Sequence, residues 1–422
     1  MMRAERAAIR MRCLRGCWAY PAPWLPARQL PMTDRLTSVR VATGASGIIE
    51  GRFSSGSCMT SVVTESQVRA HLATIVDPHT GASLEESGEI HAVGVDGDRI
   101  AVEIVLGYPA AGWRKEFATE ITAVLEADAA IAQATVSVTS RIATHKVQGN
   151  LMPLPGVKNI IAVASGKGGV GKSTVAVNLA LALVAEGANA GVLDADIYGP
   201  SQPLMLGIHG RPESPDGKAI IPMTNHGLQV MSIGFLVGDD TPMVWRGPMV
   251  TQALTQLLNA TRWKDLDYLI VDMPPGTGDI QLTLTQRVPV SGAVIVTTPQ
   301  DIALLDARKG LKAFEKVSVP VLGVIENMAT HVCSNCGHEE HVFGAGGGAR
   351  IAGQYGVPLL GSLPLDVRIR EQADGGNPTV SAIPDSDLAA RYREIARNTA
   401  GRLSLQAERD VAGVPNIAIA DD

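Results

Sequence analysis

What this 422-residue sequence lacks excludes several large classes of protein. Aromatic residues make up only 4% of it, too few for a surface that stacks the bases of single-stranded nucleic acid, and no unbroken apolar run reaches the roughly 18–20 residues that span a bilayer. Five cysteines in so long a chain do not make a disulfide scaffold. The net charge of −6 disfavours general binding to nucleic acid or to an anionic membrane. We therefore expect a soluble protein of a reducing compartment, the cytoplasm, with neither nucleic acid nor membrane as a partner.

The composition is nevertheless that of a folded protein, with 45% hydrophobic residues and 44 glycines, and its length indicates two or three domains. Residues 1–58 differ from the rest because they contain nine arginines, three acids and no lysine. We predict a disordered extension here. It is interpreted as a transit peptide or as the product of a mis-assigned start upstream of Met59, and the prolines that interrupt it favour the second interpretation.

Residues 64–145 are predicted to form a small α+β domain, and residues 146–158, which contain glycines and prolines, a linker. Segments of helical period alternate here with segments of period two around the turn Asp96-Gly97-Asp98. The predicted elements are a helix, two strands, a helix and a strand, at Thr64–Val76, Ile90–Val95, Ile100–Leu106, Trp113–Ala127 and Ala134–Ile142.

Residues 159–401 are predicted to form an α/β domain with a mostly parallel sheet, followed by a flexible tail over residues 402–422. Continuous apolar segments alternate with helical ones, the pattern of parallel strands covered on both faces. Strands are predicted at Ile160–Ala164, Ala190–Asp194, Leu269–Asp272, Ala293–Thr297, Val321–Ile325 and Leu359–Leu363. Helices are predicted at Lys172–Glu186, Pro248–Ala260, Asp301–Phe314 and Asp387–Ala400. Ligands bind such a sheet at the carboxyl ends of its strands.

A glycine-rich loop follows the first of these strands and precedes a helix. Its nine residues fit the pattern G-x-x-x-x-G-K-[ST]: Gly166, Lys167, Gly168, Gly169, Val170, Gly171, Lys172, Ser173 and Thr174. The glycines let successive backbone amides turn towards phosphate oxygens, and the helix N-terminus adds its positive dipole. Lys172 is predicted to reach the β- and γ-phosphates, and the Ser173 hydroxyl to bind Mg²⁺.

Carboxylates stand at the ends of two further strands. Asp194 and Asp196 end one strand, and Asp272 ends another. Mg²⁺ beside a phosphate-binding loop needs such charges, so we predict that Asp272 is the Walker B residue and that Asp194 supports the metal. Asp196 is predicted to position the attacking water. For any one of these residues, a helix cap is the alternative.

Two residues are predicted to contact the nucleotide base. Asn327 follows a strand and can offer its side-chain amide to adenine, and Pro364, after the next strand, can flank the ring. Spacing alone does not distinguish ATP from other nucleotides.

Cys333 and Cys336 form the single C-x-x-C motif of the sequence. Three interpretations compete. Two thiolates per chain, shared across a two-fold axis, make the four ligands of a [4Fe–4S] centre. A zinc site within one chain has to borrow His331, His338 or His341, whose spacing is not finger-like. A redox dithiol normally lies at a helix N-terminus of a thioredoxin-like fold, which the sequence does not predict.

The motifs together resemble the Mrp/ApbC family of iron–sulfur cluster carrier P-loop ATPases. Lys167 is typical of the deviant Walker A loop of the wider MinD/ParA/nitrogenase-iron-protein branch. The segments that carry the family resemblance are Gly166–Thr174, Asp194–Ser201, Asp272–Asp279 and Glu326–Met328 with the cysteine pair. Residues 64–142 resemble the MIP18-like domain, with one departure: Ala110-Ala111-Gly112 stands where related domains often carry a cysteine.

The resemblance implies an ATPase that works as a homodimer, and because the linear sequence shows no obvious arginine finger, we expect slow turnover. Lys167 is implied to reach the nucleotide of the facing subunit, and ATP and Mg²⁺ are the implied ligands of the loop. Cys333 and Cys336 are implied to bind a [4Fe–4S] cluster at the dimer interface for transfer to apo-proteins and exchange with assembly factors. Two alternatives remain: a MinD/ParA-like positioning ATPase acting on membrane or DNA, and a P-loop ATPase with a structural zinc site.

Overall fold

A computed structural model describes residues 63–149, 151–236, 247–333 and 335–411. The extension predicted over residues 1–58 lies outside the described residues, as do residues 412–422. Among the helices that are described, none is both long and apolar enough to cross a bilayer.

The N-terminal part of the described chain is a three-stranded sheet with two helices on one side. Its elements are α1 (Glu65–Leu72), β1 (Ile90–Asp96), β2 (Arg99–Leu106), α2 (Arg114–Glu126) and β3 (Gln133–Ser140). The hairpin β1–β2 is antiparallel, and β3 returns parallel to β2 after the crossover helix α2. Phe117, Ile121 and Leu125 lie at helical spacing on α2 and are fully buried, so this face of the helix packs on the sheet.

The first helix is shorter than its apolar spacing predicts. The sequence predicts a helix to Val76, but α1 ends at Leu72 and Val76 instead forms a β-bridge with Ser83. The Asp77 amide donates to the carbonyl of Ala82, and the Gly81 amide donates back to the carbonyl of Asp77. This turn takes over the backbone groups that a longer helix would have used.

The larger part of the chain is an α/β unit. Its strands are β4 (Val157–Ala164), β5 (Ala190–Asp194), β6 (Met223–Asn225), β7 (Leu228–Ser232), β8 (Leu266–Asp272), β9 (Gly292–Thr297), β10 (Val321–Glu326) and, after the hairpin β11 (His331–Val332) and β12 (Glu339–Glu340), β13 (Leu359–Ser362). Within the described residues they form an eight-stranded sheet of order β13-β10-β9-β4-β8-β5-β7-β6. All its neighbours are parallel except β6, which pairs antiparallel with β7 at one edge.

Helices cover both faces of this sheet. They are α3 (Lys172–Ala185), α4 (Gln202–Met205), α5 (Gly247–Ala260), α6 (Asp279–Arg287), α7 (Asp301–Lys316), α8 (Gly347–Tyr355), α9 (Val367–Asp374), α10 (Thr379–Ala382) and α11 (Asp387–Val411). Strands β4, β5, β8 and β9 are buried almost throughout, as their continuous apolar sequences predict. The predicted α/β class with a small preceding α+β region is confirmed.

The hairpin of β6 and β7 was missed from the sequence. Its strands are short, and the usual Asn-Gly signal is replaced by Asn225-His226-Gly227. His226 and Gly227 have φ values of 50° and 80°, the left-handed pair that a type I′ hairpin turn requires.

The predicted flexible tail is wrong over its first residues. Helix α11 continues past residue 401 to Val411, and Leu403 is fully buried. Leu403 continues the apolar face of the helix, which packs on α3 and β13. Burial of that side chain favours helix over tail by about 1.5–3 kcal/mol.

A buried ion pair joins the small sheet region to the α/β unit. Glu186, just after α3, accepts hydrogen bonds from Arg397 Nη1 at 2.6 Å and from the Gly112 amide at 2.8 Å. His79 lies beside them, with Nδ1 2.7 Å from Asn398 Oδ1 and Nε2 accepting from Arg397 Nε at 3.1 Å. The Glu186 carboxylate is fully buried, so the loss of one partner would leave an uncompensated charge. The small region is therefore held at the far end of the helix that begins at the glycine-rich loop.

Candidate functional site

The glycine-rich loop runs from β4 into the N-terminus of α3. Gly169 and Gly171 have φ values of 80° and 79°, which L side chains rarely adopt. A Cβ at Gly171 would also collide with the side-chain nitrogen of Asn327. The 14-residue helix that follows directs its free amides and positive dipole into the loop. This geometry is suited to binding phosphate groups.

Lys172 and Asp272 meet at the floor of this loop, and both side chains are buried. Lys172 Nζ contacts Asp272 Oδ1 and donates to Ser173 Oγ at 3.1 Å. Asp272 ends β8, the strand beside β4, so adjacent parallel strands place the two groups together. The structure thus brings together the predicted Walker A lysine, the magnesium-binding serine and the Walker B carboxylate.

Asp194 is completely buried and surrounded by donors. Its Oδ2 accepts from the amides of Ser201 and Gln202 at 3.0 and 3.1 Å and from Ser232 Oγ at 3.1 Å. Burial is the main cause that raises its pKa to about 7, and the nearby charge of Asp272 adds to the rise. A positive ion near this pair would restore the charged form.

Asp196 lies at the edge of the same pocket and is half-buried. Burial raises its pKa, while the charge of Lys172 lowers it. Its amide donates to Asp194 Oδ1 at 3.2 Å, so the two carboxylates belong to one turn. Its role in positioning water stays a prediction.

Gln202 is a residue of the site that sequence reasoning missed. Its Nε2 donates to Asp272 Oδ2 at 2.9 Å and to the carbonyl of Ser173 at 3.1 Å. Glutamine is ordinarily exposed, so only the fold, which places Gln202 beneath the phosphate loop, shows that it is buried.

The residues present fit a hydrated Mg²⁺. Ser201 Oγ and Gln202 Oε1 are buried beside the two carboxylates without a hydrogen-bond partner, as suits acceptors for metal-bound water. In the part of the chain that the structure covers, no group of three His, Cys, Asp or Glu side chains could hold a metal ion. Mg²⁺ keeps several waters and takes one or two carboxylates, so it does not need such a group. Ser173, Asp194 and Asp272 are the residues that would hold it, and the ion would supply charge neutralisation for phosphates there.

The remaining predicted nucleotide residues surround the loop. Lys167 is half-buried, and its Nζ lies 3.4 Å from Gln300 Oε1. Asn327 is buried and donates from Nδ2 to the carbonyl of Val170 at 2.9 Å, so it supports the loop itself. Pro364 is half-buried and follows Leu363, whose carbonyl accepts from the amide of Ala329. Contact of Asn327 and Pro364 with adenine stays a prediction.

The cysteine pair lies on the small hairpin formed by β11 and β12. The Cys333 amide donates to the carbonyl of His338 at 2.9 Å, and the Gly337 amide donates to the carbonyl of Cys333 at 2.8 Å. Cys333 is half-buried and Cys336 exposed, and neither forms a disulfide. Hydrogen bonds from the amides of Asn335 and Cys336, and from the Cys336 thiol, lower the pKa of Cys333. Donors aimed at the sulfur stabilise the thiolate, which is the form of cysteine that binds metals.

Two of the three histidines near this hairpin, His331 and His341, contact backbone carbonyls through Nδ1. His331 Nδ1 lies 3.1 Å from the carbonyl oxygen of Leu365, and His341 Nδ1 lies 3.0 Å from that of Ala329. Among the residues that the structure describes, no third His, Cys, Asp or Glu side chain joins the two cysteines in a group that could hold a metal ion. The hairpin of one chain therefore presents two thiols for a metal.

The parallel sheet, the glycine-rich loop with its second lysine and the strand-end carboxylates define a P-loop NTPase of the MinD/ParA type. Residues 156–400 match the family described as NUBPL iron-transfer P-loop NTPase, and residues 65–138 match the family described as iron-sulfur cluster assembly protein. The chain belongs to the iron-transfer P-loop NTPase family. This confirms the predicted resemblance to iron–sulfur cluster carriers. It also confirms the predicted enzyme class, an ATPase that acts in carrying iron–sulfur clusters.

Relatives extend over most of the chain. The iron-sulfur cluster carrier protein of Escherichia coli strain K12 is 52% identical over 342 residues, which cover 81% of this chain and 93% of that one. The iron-sulfur cluster transfer protein NUBPL of Mus musculus is 51% identical over 258 residues, covering 61% and 81%. Among solved structures, a nucleotide-binding protein of Archaeoglobus fulgidus in complex with ADP is 37% identical, with a TM-score of 0.47, and covers 52% of this chain and 87% of that one.

Proposed function

We propose that this chain is an ATP-dependent carrier that binds a [4Fe–4S] cluster between two copies of itself and passes it to apo-proteins. Family membership supports the coarser statement that it is an iron–sulfur cluster carrier. The observation that carries the finer one is the cysteine hairpin. It presents two accessible thiols whose backbone surroundings favour the thiolate, and it has no third ligand among the described residues. Four thiolates, two from each of two chains, complete a cluster of this type.

The exposed position of the thiols suits a cargo that must leave. Thiolates of a recipient protein can approach iron at a hairpin that is open to solvent, and replace Cys333 and Cys336 one at a time. A cluster buried within one chain would instead need local unfolding for release. The exposure of Cys336 therefore favours a carrier over a structural metal site.

The nucleotide site controls the binding and release of the cluster. Lys172 and the loop amides bind the phosphates of ATP. Ser173, Asp194 and Asp272 are the residues that would hold Mg²⁺. Lys167 reaches across to the nucleotide of the second copy, and Asp196 orients the attacking water. Closure of the two copies around ATP changes the spacing of the cysteine pairs. We expect slow hydrolysis, since the sequence shows no obvious arginine finger to stabilise charge in the transition state.

The test is anaerobic reconstitution of the full-length chain with iron and sulfide. The double variant Cys333→Ser/Cys336→Ser is expected to lose the brown chromophore and cluster transfer to an apo-protein, and to keep wild-type ADP affinity. The matched control is the triple variant Cys13→Ser/Cys17→Ser/Cys58→Ser, which is expected to keep the chromophore and cluster transfer. Full cluster loading of the double variant would contradict the proposal.

A further inference from the structure

Gln202 is buried in the phosphate site, and the predicted machinery gives it no role. Its side chain is fully buried. An amide carries two donor hydrogens and an acceptor oxygen, so its burial is costly unless it makes specific hydrogen bonds. Gln202 begins α4 immediately after the loop that follows Asp194, which places it below the glycine-rich loop.

One residue here touches three elements of the site. The Gln202 backbone amide donates to Oδ2 of Asp194, the last residue of β5, at 3.1 Å. Its side-chain Nε2 donates to Oδ2 of Asp272, the last residue of β8, at 2.9 Å, and to the carbonyl of Ser173, in the first turn of α3, at 3.1 Å. Gln202 therefore fixes the two carboxylates relative to the helix that binds phosphate.

Lys172 and Gln202 hold opposite oxygens of the Asp272 carboxylate. A lysine of this kind reaches the β- and γ-phosphates of a bound nucleotide, and that movement draws its ammonium away from the aspartate. The hydrogen bond from Gln202 does not compete with phosphate, because it approaches from the other oxygen. It can therefore keep Asp272 in place when Lys172 turns.

We propose that Gln202 is a positioning residue, which holds Asp272 in the orientation that binding of Mg²⁺ with nucleotide requires. Its Oε1 is buried without a protein partner and is left to accept a hydrogen bond from metal-bound water. The inference rests on the nucleotide part of the proposed function. Groups that orient metal ligands in this way typically change metal affinity or activity by about 10- to 100-fold when they are removed.

The test is the affinity of the full-length chain for ADP, measured by calorimetry in Mg²⁺ and again in EDTA. Gln202→Leu keeps the approximate volume and removes the donor. We expect about tenfold weaker binding in Mg²⁺ and a change of less than about twofold in EDTA, because the loop amides and Lys172 remain. ATP turnover by this variant, measured at saturating ATP, should need a correspondingly higher Mg²⁺ concentration to reach half its maximal rate.

Gln148→Leu is the matched control. Gln148 Nε2 also donates to two carbonyls, those of Thr285 and Val288 at 2.7 and 2.6 Å, and its Oε1 is also buried without a partner. This variant should keep the wild-type ratio of affinities in Mg²⁺ and EDTA. If Gln202→Leu does not fold, Gln202→Met, which is more flexible, takes its place.

Two results would overturn the inference. Gln202→Leu could retain the wild-type dependence on Mg²⁺, or it could lose affinity equally in Mg²⁺ and EDTA, as a simple packing defect would. Failure of the wild-type chain to bind ADP under both conditions would instead contradict the proposed function itself.

Discussion

The phosphate site and the cysteine hairpin differ in how much of each one chain supplies. In the phosphate site, Lys172, Asp194 and Asp272 are buried, and the two carboxylates accept hydrogen bonds from α3, α4 and β7. In the hairpin, Cys336 is exposed, and the described residues add no third ligand to the two thiols. A nucleotide can therefore be bound by one chain, whereas a four-thiolate cluster needs two. Under the proposed function, one chain supplies the nucleotide site and a second copy completes the cluster site.

The largest effect expected is on the phosphate site alone. Lys172→Ala should weaken ADP binding by on the order of 100-fold or more, because it removes the charge that meets the phosphates. Cluster loading after reconstitution should remain at the wild-type level if the two sites are as separate as the comparison implies. Calorimetry and iron analysis on the same preparation measure both quantities.

The control for this variant is Lys158→Ala. Lys158 forms an ion pair with Asp267 at 2.8 Å, near the start of β4 and away from the loop. It should leave ADP binding unchanged. Loss of cluster loading by Lys172→Ala, with the fold intact by circular dichroism, would show that the two sites are one cooperative unit.

Buried Asp194 should make the stability of the chain depend on pH through the phosphate site. The pKa of Asp194 is raised to about 7, whereas an unfolded aspartate titrates near 3.9. Between these values the folded chain holds a proton that the unfolded chain has released. The free energy of unfolding should therefore fall as pH rises from about 4 to 7, by on the order of 1–3 kcal/mol.

Asp194→Asn should remove that dependence. Urea unfolding at pH 5 and pH 8, without added metal, measures it, and the variant should gain stability relative to wild type at the higher pH. Asp216 provides a control of opposite sign, because the amides of Ala219 and Lys218 lower its pKa. The charged Asp216 carboxylate stabilises the folded chain at neutral pH, and this stabilisation is lost as pH falls and the carboxylate is protonated. Asp216→Asn should therefore be less stable than wild type at neutral pH. Equal pH profiles for wild type and Asp194→Asn would contradict the burial of a protonated group.

A smaller effect is expected when a glycine of the cysteine hairpin is replaced, because the substitution strains the backbone. Gly337 has φ of 71°, where an alanine costs about 1 kcal/mol. Gly337→Ala should lower cluster retention about fivefold under competition from a chelator and leave ADP affinity unchanged. Gly217, with φ of 67° and open space around it, gives a strain-matched control that should affect neither. A cluster held as firmly by Gly337→Ala as by wild type would count against the hairpin as its support.

The smallest effect distinguishes the two thiols. Backbone amides lower the pKa of Cys333, so more of it is thiolate at pH 7. Iodoacetamide should modify Cys333 about threefold faster per accessible sulfur than Cys336. Peptide mass spectrometry over time measures the two rates, and denatured protein, in which the amides are no longer aligned, provides the reference. A ratio that denaturation does not change would contradict the hydrogen-bonded thiolate.

The sequence was most informative where chemistry imposes a fixed spacing. The glycine pattern around Lys172 and the strand-end position of Asp272 predicted the floor of the phosphate site, because parallel strands bring their carboxyl ends to one edge. Gln202 was not predictable, since its burial depends on how the loop after β5 folds back beneath α3. The continuation of α11 was missed for a similar reason. Leu403 and Leu405 are the large apolar residues between positions 402 and 410, and the burial of Leu403 depends on elements distant in the sequence.

The hairpin shows a different limit. The pair Cys333 and Cys336 was evident, but the amides that support the sulfur belong to a turn geometry that C-x-x-C spacing alone does not fix. The other half of the proposed cluster site lies on a second copy of the chain. No spacing within one sequence can place those two ligands.

The most direct test of the account is the iron, sulfide and mass of the reconstituted full-length protein. Native mass spectrometry with iron and acid-labile sulfide analysis should find four iron and four sulfide per two chains, in a dimer, as a [4Fe–4S] centre with four thiolate ligands requires. A complete cluster on a single chain, or one zinc per chain with no iron bound, would contradict the claim that the cargo site is shared between two copies.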